Sequence, residues 1–223
     1  MIVMCFKHLS HWNKLCGVKE VAKGPTIPNL HSVKPEAKTM KRKLHITILY
    51  ESLCPDSRRF MRQLGPVHDE LKDYVDILLV PFGKSYSQQN GAIFHCQHGP
   101  DECLGNRLQS CVLSTTTDQG AQVKFAVCQM LSSEFDKIET CAIGAGLSPN
   151  IKQCAETSVG TALQLEAERI TNLYKPKFIP TIVYNGVFSQ ELQDKSLRNF
   201  RGTVCNLLLQ LNKLSPKYSR VCQ

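Results

Sequence analysis

The chain lacks the features that would place it in several large classes. No run of about 18 apolar residues occurs, which excludes a membrane-spanning helix. The apolar start Met1–Phe6 is broken by Lys7 and His8 before a stretch of roughly 7–15 apolar residues can form, so no clear signal peptide is expected. No Asn-x-Ser/Thr sequon is present, and N-glycosylation gives no argument for a secretory route. No Cys-x-x-Cys pair exists, which removes the ordinary dithiol redox motif and the zinc knuckle alike. A basic face for nucleic acid is missing too. Residues 1–43 hold nine Lys/Arg against Glu20 and Glu36, or +7 of the formal total of +8. The rest of the chain carries 18 basic and 17 acidic side chains, or +1, so no nucleic-acid partner is expected.

What remains is a chain of 223 residues, 42% hydrophobic and 21% charged, the composition of one folded domain or one domain with a large insertion. It holds eleven cysteines, about 5% of residues, below the roughly 8–10% of a miniature disulfide scaffold yet high for a reduced cytosolic domain. The odd count leaves at least one cysteine unpaired. Pro25, Pro28 and Pro35 and the cluster Lys41-Arg42-Lys43 mark residues 1–43 as a basic leader or linker, expected to be disordered. The ordered domain is expected over 44–223.

That domain begins with a β-rich run, Leu44 to Tyr50, which reads as a strand. It passes directly into Cys54-Pro55-Asp56-Ser57. Beyond it Phe60, Leu64, Val67 and Leu71 form the apolar stripe of an amphipathic helix, with Pro55 at its first position and Gly65-Pro66 predicting a mid-helix kink. Cys54 therefore lies at a strand-to-helix junction, where helix N-terminal amides stabilise a thiolate, the species that attacks disulfides. Ser57, three residues on, is within reach of the sulfur through its hydroxyl or its N–H. A small buried core residue is the rival reading of Cys54; a cysteine directly before Pro and a helix start is expected to be exposed at the turn.

A second strand is expected over Tyr74–Phe82 and another over Phe178–Tyr184, followed by an Asn185-Gly186 hairpin turn into Val187 and Phe188. One last helix is expected to carry Leu197, Phe200, Val204, Leu207, Leu208 and Leu211 on one side. Residues 85 to about 175 read as mainly helical, with Val159, Leu163, Ala167 and Ile170 as a stripe. The order is thus βαβ, a helical insertion, then ββα.

This order resembles the thioredoxin fold, which implies an α/β domain with a cis proline at Pro180, facing Cys54, where the Ile179-Pro180 backbone pairs with a substrate chain. Cys96-Gln97-His98-Gly99-Pro100-Asp101-Glu102-Cys103, continuing to Asn106 and Cys111, is similar to the C-Q-H-G-x-x-E-C-x-x-N-x-x-x-x-C signature of the gamma-interferon-inducible lysosomal thiol reductase family. The resemblance covers about residues 44–222. It implies an enzyme of the endosomal and lysosomal route, often secreted as well, that reduces disulfides in protein substrates. Cys54 and Ser57 then occupy the catalytic positions, Ile179 and Pro180 the substrate-binding ones. Family members with two active-site cysteines release the mixed disulfide through the second; here that residue is Ser57, a Cys-x-x-Ser form resembling arthropod members. The resolving thiol is then external, such as free cysteine or glutathione, and no bound cofactor is expected.

Apart from Cys54 and the leader's Cys5 and Cys16, eight cysteines remain: Cys96, Cys103, Cys111, Cys128, Cys141, Cys154, Cys205 and Cys222. An even set predicts structural disulfides without choosing the pairing. Zinc held by Cys96, His98, Cys103 and Cys111 is the rival reading, disfavoured by their spacing, and no metal is expected. His95 and His98 read as packed or solvent-facing rather than as bases, and Glu102 and Asn106 as capping and bracing their loop. Two functions follow: an oxidoreductase working through Cys54, or a redox-impaired thioredoxin-like protein that captures partners by mixed disulfide or non-covalently.

Overall fold

The computed structural model describes residues 43–132, 137–211 and 222; the leader, with Cys5 and Cys16, lies outside them. The central strand β1 (Leu44–Tyr50) is apolar at nearly every position because it is covered on both faces. It pairs in parallel with β2 (Val75–Pro81) from Leu44↔Val75 to Tyr50↔Pro81, and antiparallel with β5 (Thr181–Tyr184) from Ile46↔Tyr184 to Leu49↔Thr181. The sheet order is β2-β1-β5. Helix α1 (Pro55–Leu71) connects β1 to β2, and it remains one element through Pro66. Its expected stripe is its buried face: Phe60, Leu64, Val67 and Leu71 are all at most 4% exposed.

Side chains of β1 divide between two apolar clusters, as strand alternation requires. Leu44, Ile46, Ile48 and Tyr50 join the large core with α1, where Phe60 meets Phe200 edge-on at 5.0 Å. Leu49 joins Val80, Phe82, Ala167, Ile179 and Cys54 in the smaller one. This parallel-then-antiparallel sheet, with a Cys-headed α1 and a cis peptide at Ile179-Pro180, is a thioredoxin-like fold.

The insertion lies between β2 and β5. It opens on a hairpin that the sequence reading missed, β3 (Tyr86–Gln88) and β4 (Ile93–His95), turned by Gln89, Asn90 and Gly91, all with positive φ. Five helices follow: α2 (Pro100–Leu113), α3 (Gln119–Leu131), α4 (Ile138–Gly144), the short α5 (Lys152–Ala155) and α6 (Ser158–Tyr174). Disulfides tie α2 to α5 through Cys111–Cys154 and α3 to α4 through Cys128–Cys141. Cys96–Cys103 closes the loop that leads into α2, and Cys205–Cys222 holds the C-terminal region. All eight cysteines are thereby paired, and the Cys96/His98/Cys103/Cys111 zinc arrangement is overturned because three of those four ligands are oxidised sulfurs.

Three expectations need correction. The stripe expected on α6 is rotated: Val159 is exposed, and the buried face is Gly160, Gln164, Ala167 and Thr171. Gln164 is drawn inward by hydrogen bonds from its Nε2 to Ser110 Oγ (2.8 Å) and the Pro81 carbonyl (3.4 Å). The single last helix is two, α7 (Gln190–Arg198) and α8 (Phe200–Gln210), broken where Asn199 leaves helical geometry to cap α8 by accepting from Gly202 N–H at 2.9 Å. The strand after Asn185-Gly186 shrinks to an isolated Tyr184↔Val187 bridge, although both turn residues take the expected positive φ.

Candidate functional site

The site is built where β1 ends and α1 begins. Cys54 is the N-cap of α1, in extended geometry, and its Sγ accepts a hydrogen bond from Ser57 N–H at 3.5 Å. The same sulfur donates to the Ile179 carbonyl at 3.8 Å, so the cis Ile179-Pro180 segment lies against it. The backbone is fixed on both sides, with Cys54 N–H donating to the Glu51 carbonyl (3.3 Å) and Arg58 N–H to the Cys54 carbonyl (3.0 Å). Cys54 is the free cysteine among the described residues.

One expectation fails here. Cys54 is 7% exposed, not open at the turn, because Leu49, Val80, Phe82 and Ile179 surround it. Ser57 is fully buried, and its two groups divide their work: the N–H reaches the sulfur, while the hydroxyl accepts from Glu51 N–H at 3.3 Å.

The Cys-Gln-His-Gly segment forms a brace around this turn. Asn106 Oδ1 accepts from Ser52 N–H at 2.8 Å, and Ser52 Oγ donates to the Glu102 carbonyl at 3.0 Å. Both Asn106 and Glu102 are fully buried, so α2 holds residue 52, two before the cysteine, through the Asn106 side-chain oxygen and the Glu102 carbonyl, while Asn106 Nδ2 is left without a partner. Gly99 starts α2 with φ +88, a conformation that only glycine adopts without strain, and Pro100 follows at the first helical position. Cys96 and Cys103 close this loop, whereas Cys111 points to α5 and Gln97 is exposed. His95 is exposed and stacks on Tyr86 at 4.7 Å, outside the brace.

Glu51 is the residue that sequence reasoning missed. It closes an apolar strand, yet its side chain is fully buried. Its Oε1 accepts from Lys84 N–H at 2.7 Å. Space for it exists because residue 83 is glycine, at φ +62; a Cβ there would lie 2.2 Å from Glu51 Cγ. His98 Nδ1 bonds Glu102 Oε2 at 2.5 Å and stands 3.7 Å from Glu51 Oε2. Burial pushes the Glu51 carboxyl up to about 7; the Lys84 N–H opposes this, the Glu102 carboxylate adds to it, and His98 opposes it.

Around the residues that flank Ile179-Pro180, Tyr174, Lys177, Phe178, Thr181, Phe188 and Gln190 line a groove of about 220 Å³. Phe178 and Phe188 pack at 6.0 Å, and Phe188 stays 39% exposed. It offers apolar surface next to Ile179-Pro180.

Comparison by sequence with a family model and with individual relatives gives one family. Residues 45–145 match the family model described as gamma interferon inducible lysosomal thiol reductase (GILT). GILT-like protein 1 of Drosophila melanogaster is 35% identical over 186 residues, covering 73% of this chain and 74% of that protein. The gamma-interferon-inducible lysosomal thiol reductase-like protein of Anopheles gambiae is 32% identical, covering 74% and 77%. Among solved structures, the oxidoreductase DsbA from Xylella fastidiosa superposes with a TM-score of 0.49 at 14% identity, over 78% of this chain and 88% of that one. With a 35% identical relative matched over most of its length, the chain belongs to the gamma-interferon-inducible lysosomal thiol reductase family.

Proposed function

We propose that this protein is a thiol–disulfide oxidoreductase that reduces disulfides in protein substrates through Cys54. The observation that carries the reading is the placement of one unpaired cysteine at the N-cap of α1, with Ser57 N–H on its sulfur and the Ile179 carbonyl beside it. Amides at a helix start favour the thiolate, which is the attacking species.

In the first step the Cys54 thiolate attacks one sulfur of a substrate disulfide. A Cys54–substrate bond forms, the substrate S–S bond breaks, and the other substrate sulfur leaves as a thiolate that takes a proton from water. Ser57 cannot resolve this intermediate, since it has no sulfur. An external small thiol attacks Cys54 Sγ, releasing the second substrate thiol and leaving a Cys54–small-thiol disulfide. A second small thiol restores Cys54 and departs as the small disulfide, so two thiols are oxidised for each disulfide reduced. The Ile179-Pro180 segment and the apolar groove beside it bind the substrate chain. A lysosomal working compartment is the one that the names of the relatives point to.

A second reading, in which Cys54 retains partners as long-lived mixed disulfides, draws on the Ser57 replacement and the burial of Cys54. Turnover separates the two. With excess cysteine at about pH 5, wild type is expected to accelerate reduction of a disulfide-bonded protein, and Cys54→Ala to lose that acceleration. Equal rates for both would refute the oxidoreductase.

A further inference from the structure

We propose that Glu51, His98 and Glu102 form a binding site for a divalent transition-metal cation, clipping the end of β1 to the loop that leads into α2. His98 Nδ1, one oxygen of Glu51 and one of Glu102 all lie within 4.8 Å of one another. Both glutamate side chains are fully buried, while His98 is 39% exposed and opens the cluster to solvent on one side.

The arrangement around the two carboxylates is what a cation site requires. Each has one oxygen fixed by a backbone N–H: Glu51 Oε1 by Lys84 at 2.7 Å, Glu102 Oε1 by His98 at 3.1 Å. Such outer contacts orient the ligand atoms of metal sites. The second oxygens are thereby aimed at the same space as His98 Nδ1. Glu51 Oε2 is buried there with no hydrogen-bond partner, since His98 Nδ1 at 3.7 Å is beyond bonding range. A buried carboxylate oxygen without a donor is costly, and a cation removes that cost. Two carboxylates and a neutral imidazole balance a dication in charge. One nitrogen and two oxygens suit zinc or manganese rather than a soft monovalent ion.

The spacing is close to what zinc needs. Bonds of about 2.0–2.1 Å in tetrahedral geometry hold ligand atoms roughly 3.4 Å apart. Glu51 Oε2 and His98 Nδ1 already stand at 3.7 Å, and His98 Nδ1 would back away from Glu102 Oε2, now at 2.5 Å, by about 1 Å. The exposed His98 is the ligand free to make that adjustment. Fourth-position water completes the shell from the solvent side.

The site is independent of the sulfur chemistry and sits next to it, since Cys54 N–H donates to the Glu51 carbonyl. The competing occupant is a proton, with His98 donating to Glu102 and no metal taken up. The test uses the full chain with its four disulfides intact and Cys5→Ser, Cys16→Ser and Cys54→Ala, which removes zinc binding by the thiols outside those disulfides. After chelator treatment at neutral pH, titration with zinc sulfate by calorimetry is expected to give one site per chain and to raise Tm. Glu51→Gln and His98→Gln are each expected to weaken binding at least tenfold, whereas His95→Gln, on the exposed hairpin, leaves it unchanged. X-ray absorption of the zinc-loaded protein is expected to show nitrogen and oxygen ligands without sulfur. Absence of stoichiometric binding, or full affinity in the His98→Gln variant, which alters a partly exposed residue, would overturn the site and leave a proton-sharing brace.

Discussion

Replacing Glu51 by Gln is expected to remove a pH dependence of stability that the wild-type protein carries. The folded carboxyl keeps its proton up to about 7, driven by burial, while the unfolded chain releases it near the ordinary 4.5. Between those values the folded state binds more protons than the unfolded one. The contribution is therefore fully present below pH 4.5 and is lost as pH rises through 7. Its slope approaches 1.4 kcal/mol per pH unit, and the whole loss is about 3 kcal/mol. With a urea m-value of about 2 kcal/mol/M, that lowers the midpoint by roughly 1.5 M between acid and neutral pH. Gln does not ionise, so Glu51→Gln flattens this component. His68 acts in the opposite sense, because burial holds its pKa below the ordinary range and stability is lost as pH falls. The quantity to measure is thus the difference between variant and wild type. Urea unfolding of both at closely spaced pH values, with chelator and intact disulfides, gives it directly. Parallel curves for the two proteins would refute the assignment of a raised, buried carboxyl. The predicted direction favours acidic conditions, in keeping with the working compartment proposed above.

Other consequences are open to simpler assays. Asn106→Ala strips the buried Ser52 N–H of its acceptor and is expected to cost about 2 kcal/mol, or roughly 5 °C in Tm, with slower substrate reduction because the turn before Cys54 loosens. Opening Cys111–Cys154, whose cysteines are 43 residues apart, is expected to cost about 4 kcal/mol from chain entropy, against about 2.4 for Cys96–Cys103 with its separation of 7. Denaturant midpoints of the two Cys→Ser double variants would test that order. Ser57→Cys places a second thiol where its N–H already meets Cys54 Sγ; it is expected to form a further disulfide on oxidation and to release mixed disulfides without added thiol, seen as loss of trapped adduct on a gel.

Much of this arrangement is legible in the residues. β1 and α1 announce themselves because both are governed by local pattern: a short apolar run covered on both faces, and a stripe at helical spacing headed by Pro55. Its place before Pro55 and a helix start singles out Cys54, whereas the pairings Cys111–Cys154 and Cys128–Cys141 depend on how α2 to α5 fold against each other. Glu102 braces its own loop as expected, accepting from His98 N–H, whereas Asn106 braces the turn at residue 52 rather than its own loop. Glu51 was not legible. Its burial depends on Lys84, His98 and the space left by Gly83, none of which is near it in sequence. The burial of Cys54 likewise depends on the Ile179 segment, which arrives from the far side of the insertion. Asn199 reads locally as a helix residue among leucines, and only its cap geometry divides α7 from α8. On α6, hydrogen bonding of Gln164 outweighed the apolar pattern and set which face turns inward.

The central claim is that Cys54 forms a mixed disulfide with substrate that Ser57 cannot resolve. Wild-type protein mixed with a disulfide-bonded protein in the absence of small thiol, acid-quenched and digested without reduction, allows the adduct to be mapped by mass spectrometry. The account predicts one substrate-linked peptide, carrying Cys54, which disappears when cysteine is added and is absent from Cys54→Ala. An adduct at any other cysteine, or none on a folded protein with Cys54 reduced, would contradict it.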